Sequence, residues 1–202
     1  MHMSVLYTSD SHVFHPKVAG ERGFLNVDGT PDMEGYHAWY EDMWRSQVSE
    51  RDMVCLLGDV TQLSGGRFDE ALAFFAKLPG RKVLVSGNHD EVFPTHPASD
   101  KSMYRWLQVF EFISSTSARR IDGQYVNLSH FTYEPTPDDL ALGDGEDYYR
   151  AHRAPDTERW LLHGHTHRDE QLSGPRQIHV GIDGWKSLVP ETTIIDLIRE
   201  NS

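Results

Sequence analysis

Short apolar runs punctuate a polar chain, and they fall into two kinds. "SVLYTSD", "MVCLLGD" and "RKVLVSGNHD" are brief, β-prone and stop at turn residues, which predicts three strands ending near Asp10, Asp59 and Asp90. Between the first two, "DMEGYHAWYEDMWRSQV" sets Met33, Tyr36, Trp39, Tyr40, Met43, Trp44 and Val48 on a rhythm of about 3.6 residues, which predicts an amphipathic helix with an aromatic core stripe. "RFDEALAFFAKL" predicts a second helix, stopped by Pro79-Gly80, and "KSMYRWLQVF" a third. Beyond that point strands dominate. "EFISSTSARRID" and "GQYVNLSH" read as two strands joined through Asp122-Gly123, a hairpin dipeptide. "WLLHGH", "QIHVGID" and "TTIIDLI" read as three more. Alternation first and clustered strands later predict an α/β fold with mixed sheets, not a purely parallel one.

One stretch breaks the pattern. Between Phe131 and Arg159 the chain is polar, interrupted by Pro135, Pro137, Gly143, Gly145 and Pro155, and rich in carboxylates. Such a segment is a surface excursion that either acts as a lid or moves freely. No repeat, low-complexity tract or linker divides the rest. Residues 1–202 are therefore expected to form one domain with a polar insertion at about 132–158.

Composition narrows the class. An apolar fraction of 38% with 25% charged residues suits a soluble globular chain. No apolar run is long enough to span a bilayer, and "MHMSVLYTSD" lacks the basic-then-apolar order of a signal peptide. The lone Cys55 cannot form an internal disulfide; it reads as a small core residue in a reducing, cytoplasmic setting. The net charge of −12 opposes binding to duplex nucleic acid. It leaves small phosphate esters open, because bound cations can invert the sign of a site.

The chemistry lies at the strand ends. They deliver Asp10-Ser11-His12, Gly58-Asp59, Gly87-Asn88-His89-Asp90, Ser129-His130 and Gly164-His165-Thr166-His167. In open α/β sheets that edge is where ligands bind. Glycine before the polar residue suits tight turns that let backbone approach a site. The run "LLHGHTHRD" alone leaves open whether His163, His165 and His167 are three ligands for one ion or a solvated turn. Each block is weak alone; the ordered set is not.

In that order D-x-H, GD, GNHD, H and GHxH, with the tail "HVGIDGWKSLVPETTIIDLI", resemble the calcineurin-like metallophosphoesterase superfamily, and small bacterial and phage members in particular. The resemblance implies a four-layer αββα sandwich, with two mixed β-sheets flanked by helices. It also implies two divalent metal ions, Mn2+ first and Fe, Zn or Ni as alternatives. One metal would be held by Asp10, His12 and His167, the other by Asn88, His130 and His165, with Asp59 bridging them and His89 over the substrate as the catalytic residue. Mixed oxygen and nitrogen donors agree with those ions. A cation pair clamps phosphoryl oxygens and lowers the pKa of bound water, making a metal-bound hydroxide available near neutral pH.

One departure concerns His89. Relatives extend GD to GDxxD, and the last acid orients the catalytic histidine; here that position is Gln62, a neutral group. Asp90 is expected to bond backbone rather than its neighbour's ring. His15 reads as a surface or supporting residue, with a phosphate contact as the alternative. His163 is expected to stand behind the ligands, and His179 to sit in the core or beside them. His37, His96 and His152 read as ordinary.

The implied activity is phosphoester hydrolysis, favouring small nucleotide-like phosphodiesters, cyclic ones included, over a phosphomonoester or phosphoprotein. Tyr133, Tyr148, Tyr149, Arg150 and Arg153 of the insertion are expected substrate contacts. A scaffold member that has lost its ligands is disfavoured, because no ligand position is missing. A metallo-β-lactamase-like site needs H-x-H-x-D-H, whereas here Asp169 follows the last histidine. No partner beyond a small phosphoester, and no membrane, is expected; the oligomeric state is left open.

Overall fold

The computed structural model describes residues 3–62 and 67–202. In the first half β1 (Val5–Thr8), α1 (Pro16–Glu21), α2 (Met33–Gln47), β2 (Met53–Leu56), α3 (Phe68–Ala76), β3 (Arg81–Val85), α4 (Ser99–Trp106) and β4 (Phe112–Ser114) alternate much as the pattern predicts. The second half adds β5 (Thr116–Ile121), β6 (Gln124–Ser129), α5 (Pro137–Leu142), β7 (Trp160–His163), β8 (Leu172–Gly174), β9 (Gln177–His179), α6 (Ile182–Trp185), β10 (Val189–Pro190) and α7 (Glu191–Glu200). Two mixed five-stranded sheets result, in the orders β10-β1-β2-β3-β4 and β5-β6-β7-β9-β8. β1 to β4 run parallel, with β10 antiparallel at the edge. In the second sheet β6, β7 and β9 run parallel, flanked by antiparallel β5 and β8.

The central strands are apolar on both faces because both faces are covered. Leu6, Val54, Leu56 and Leu84 pack with Tyr40, Trp44 and Phe75 of the helices. Val5, Tyr7, Cys55 and Val85 point the other way and pack with Val126, Leu128, Trp160, Leu162 and Ile178 of the second sheet. Each such fully buried side chain contributes roughly 1.5–3 kcal/mol of transfer free energy. Cys55 is a core residue here, and burial pushes its thiol up to about 12. The outer face of the second sheet is covered by the insertion: Tyr133 and Ala154 bury Leu161, and the Asn127 amide donates to the Tyr133 hydroxyl at 3.0 Å. Among the described residues no helix is long and apolar enough to cross a membrane.

Two sequence expectations fail. "EFISSTSARRID" is not one strand, since the chain leaves the first sheet after Ser114 and enters the second at Thr116, so a continuous β-prone run serves both. Its predicted turn does form, with φ of 47° at Asp122 and 84° at Gly123, as the twist of a two-residue hairpin requires. "TTIIDLI" is helix, not strand. Ile194 and Ile198, four residues apart, are buried while Asp196 and Arg199 face water. The Ile-Ile-x-Leu-Ile spacing fits both periods, and packing against the inter-sheet core selects the helical one.

Candidate metal centre

The tips of β1, β2, β3, β6 and β7 meet at one edge of the sandwich. The backbone turns sharply there, and Asp10, His12, Asp59, His165 and His167 all adopt positive φ, between 42° and 70°. Non-glycine residues hold that conformation only where the surroundings impose it, and such positions cluster at functional sites. The adjoining glycines are demanded by close approach. A Cβ on Gly164 would lie 1.8 Å from Ser9 Oγ and 2.5 Å from Asp10 Oδ2. One on Gly58, at φ +89°, would lie 2.6 Å from His130 Nδ1.

Two donor groups converge, each with its ligand atoms within 4.8 Å of one another: Asp10, His12 and His167, and Asp10, Asp59 and His130. His12 Nε2 lies 3.1 Å from His167 Nε2 and 3.6 Å from Asp59 Oδ2. His130 Nε2 lies 3.3 Å from Asp59 Oδ2 and 3.1 Å from Asn88 Oδ1. Asp59 thus stands between the two histidine sets, and Asp10 is the residue the two donor groups share. Asp10, His12, Asp59 and His130 are buried.

The surrounding bonds aim the imidazoles. His130 Nδ1–H donates to the Leu57 carbonyl at 2.7 Å, which leaves its Nε2 lone pair for the cluster. His167 Nδ1 sits 2.9 Å from Asp183 Oδ2 and is aimed in the same way. Asp183 is in turn held by both Arg22 nitrogens, Nε and Nη2, at 2.7 Å each. Arg22 Nη2 also donates to the Asp10 carbonyl at 2.6 Å. Carboxylate behind imidazole is the usual support of a metal-ligating histidine.

The charges agree with that use. Burial pushes His12 down to about 3, against the pull of Asp59, so its ring is neutral, the form that can coordinate a cation. Burial would lower His130 too, but the Asp59 carboxylate beside it outweighs burial and lifts it to about 9. Cation binding there must displace that proton. Burial would raise Asp59 and Asp183; the neighbouring histidines hold the first below the usual carboxylate range, and Arg22 with His167 the second. Oxygen and imidazole donors converging in a buried, net-anionic pocket fit borderline divalent cations.

His165 stands apart from both groups. Its backbone N–H donates to the Asp10 carboxylate at 3.0 Å, and its ring packs against His130 with centroids 5.1 Å apart. Its Nε2, however, meets Asp139 Oδ1 of the insertion at 2.8 Å, leaving Nδ1 as the nitrogen free to coordinate. His89 is only part-buried; its backbone N–H donates to Asp59 Oδ1 at 3.0 Å, and its Nε2 is 3.9 Å from Asp59 Oδ2. Among the described residues nothing hydrogen-bonds its ring. Gln62 is exposed and does not reach it. Asp90 is spent on backbone, accepting from the N–H groups of Asp59, Val60 and Gly87. Burial holds His89 below the usual imidazole range.

The remaining histidines separate. His163 is buried away from the cluster, between the Gly164 carbonyl and Ser173 Oγ. His179 packs beside it, with ring centroids 5.5 Å apart. His15 caps α1 by accepting from Val18 N–H, His37 accepts from Phe14 N–H, and His96 from Ala98 N–H. His152 packs against Phe93 with the two rings tilted.

A cleft of about 460 Å³ opens beside the cluster, lined by Asn88, His89, His165, Thr166 and Arg168 on one side and by Thr136, Pro137, Asp138, Asp139, Leu142 and Tyr149 of the insertion on the other. The insertion is therefore a wall of the cleft, but not through most of the residues expected. Tyr133 is buried and its hydroxyl donates to the Arg159 carbonyl. Arg153 is buried in ion pairs with Asp139 and Asp147. Tyr148 and Arg150 are exposed and do not line this cleft; of the five, Tyr149 does. Sequence reading missed Asp183, Arg22 and Asp139. Asp183 follows Gly181-Ile182 at a strand end, the same signal that flags Asp59; Thr136-Pro137-Asp138-Asp139 is a capping-box pattern; Arg22 carried none.

Strand-tip imidazoles and carboxylates on a double mixed sheet form a donor set suited to divalent cations. Over residues 3–177 the chain matches the calcineurin-like phosphoesterases, and it belongs to that family, whose members depend on divalent metals. It is 34% identical to the Gene 66 protein of Mycobacterium phage D29, over 98% of this chain and 96% of that protein. It is likewise 34% identical to the Gene 66 protein of Mycobacterium phage L5, over 96% and 93%. In fold it is similar to a protein of unknown function from Aquifex aeolicus, with a TM-score of 0.67 and 21% identity over 97% of this chain and 100% of that one.

Proposed function

We propose that this chain is one phosphodiesterase domain whose two divalent cations are bound by Asp10, His12 and His167 on one side and by Asn88, His130 and His165 on the other, with Asp59 between them. The observation that carries this reading is the pair of convergent donor groups that share Asp10, with Asp59 placed between their histidines, beside a cleft. Two cations held there would supply Lewis acidity to phosphoryl oxygens and make hydroxide available near neutral pH. Asp183 and the Leu57 carbonyl hold His167 and His130 with their Nε2 atoms inward. His89, kept neutral by burial, donates its ring N–H to a phosphoryl oxygen as charge builds there. Mn2+ is the first choice of metal, with Fe, Zn and Ni as alternatives.

Charge around the cleft favours a diester. Asp138 lines it, and Arg168 is the one arginine or lysine of its lining among the described residues, so beyond the cations themselves the walls offer little positive charge for the second charge of a dianionic monoester. Pro137, Leu142 and Tyr149 offer an apolar wall to the second substituent of a small nucleotide-like diester. The net charge of −12 argues against duplex nucleic acid as substrate, and the lone cysteine fits a cytoplasmic setting. With metal-free protein reloaded with Mn2+, a paired nitrophenyl diester and monoester should differ in kcat/KM by at least about tenfold in favour of the diester, the effect of 1.4 kcal/mol. A preference for the monoester would overturn the diester assignment.

A further inference from the structure

Asp139 belongs to the insertion, yet it touches the metal-site histidine closest to the cleft. It is the third residue of α5 and forms a capping box there, with Thr136 Oγ1 accepting its N–H at 3.2 Å and its Oδ2 accepting the Thr136 N–H at 2.8 Å. The same Oδ2 accepts from Arg153 Nη2 at 2.7 Å, and the side chain is buried at 1% exposure. Two bonds to the carboxylate and one from the backbone N–H therefore fix this residue before His165 is considered. Its other oxygen, Oδ1, lies 2.8 Å from His165 Nε2. An ionised carboxylate only accepts, so His165 must donate through Nε2–H, and the lone pair remains on Nδ1. Phe131 packs on the same ring, with centroids 4.9 Å apart, and Tyr149 of the insertion stacks on Phe131 at 4.5 Å.

We infer that Asp139 is a positioning residue of the metal centre: it sets the tautomer and orientation of His165 so that Nδ1 is presented to the cation held with Asn88 and His130. The inference rests on the two-cation reading and adds that the insertion is a working part of one cation site, as well as a wall of the cleft. The other cation site, at Asp10, His12 and His167, has its own support in Asp183 and Arg22 and does not depend on Asp139.

Mn2+ binding by calorimetry, with metal counted by mass spectrometry, tests this on the full chain. Wild type should bind two ions. Asp139→Ala should keep one at wild-type affinity and weaken the other about 10–100-fold, the usual effect of removing a carboxylate behind a metal-bound histidine. Asp139→Asn, which retains an acceptor oxygen, should fall between. Asp147→Asn removes another partner of Arg153 without touching His165 and should leave both affinities unchanged. If Asp147→Asn weakens the same ion as strongly as Asp139→Ala, the effect is mere loosening of the insertion and the inference fails. It also fails if wild type binds two ions and Asp139→Ala binds both as tightly. Fewer than two ions on wild type would instead sink the two-cation reading. Because a variant can lose its fold, the metal-free wild type gives a second readout. Nitrogen-15 spectra of His165 should show the proton on Nε2, and a proton on Nδ1 contradicts the assignment.

Discussion

Asp59→Asn is expected to lower turnover about 10³-fold with the fold intact. Lewis-acid stabilisation by a cation pair is worth several kcal/mol, and losing about 4 kcal/mol at 1.36 kcal/mol per decade gives that factor. Asparagine is nearly isosteric, so it retains the oxygen that accepts the His89 backbone N–H at 3.0 Å. What it loses is the negative charge that faces His12, His89 and His130 together. Thermal unfolding of the metal-free variant should show a cooperative transition near that of wild type, while Mn2+ titration should show weakened binding. Unchanged steady-state turnover in Asp59→Asn would remove the shared-carboxylate mechanism outright.

His89→Ala is expected to lower kcat by about 10²–10³-fold while leaving two ions bound, as removal of one preorganised donor to developing charge does. The ring sits at the cleft, 35% exposed and outside both donor groups, and the backbone bond to Asp59 survives truncation. The loss should be similar for diesters with good and poor leaving groups, because burial keeps the ring neutral and suits it to donate a hydrogen bond. A loss that grows steeply with leaving-group pKa would reassign His89 as a general acid, for which about 10²–10⁴ is typical.

Much of the sandwich was legible because its inner strands must bury two faces, and "VLYT", "MVCL" and "RKVLV" carry apolar side chains in both directions. The strand tips that gather at the site were legible for a related reason, while the division of ligands came from the family resemblance. Parallel strands of one sheet end at one edge, which gathers the polar tips of β1, β2 and β3 and, separately, those of β6 and β7; the packing of the two sheets brings both sets together. What could not be read was set by tertiary placement. Residues 112–121 look like one strand because a β-prone run carries no mark of which sheet each half joins. "TTIIDLI" satisfies two periods, and only burial of Ile194 and Ile198 against the inter-sheet core selects helix. His163 and His165 look equivalent in "LLHGHTH", yet His165 turns at φ 70° while His163 stays in the strand, buried beneath the site. Asp139 and Asp183 lie 44 residues apart and act on different histidines of one motif, a link that only the fold makes.

The two-cation centre is tested most directly by anomalous diffraction from crystals of the Mn2+-loaded protein. Two manganese peaks roughly 3.5–4 Å apart, with Asp59 between them and His12 and His167 on one side and Asn88, His130 and His165 on the other, are predicted. A single peak, or a pair whose ligands exclude Asp59, would contradict the account.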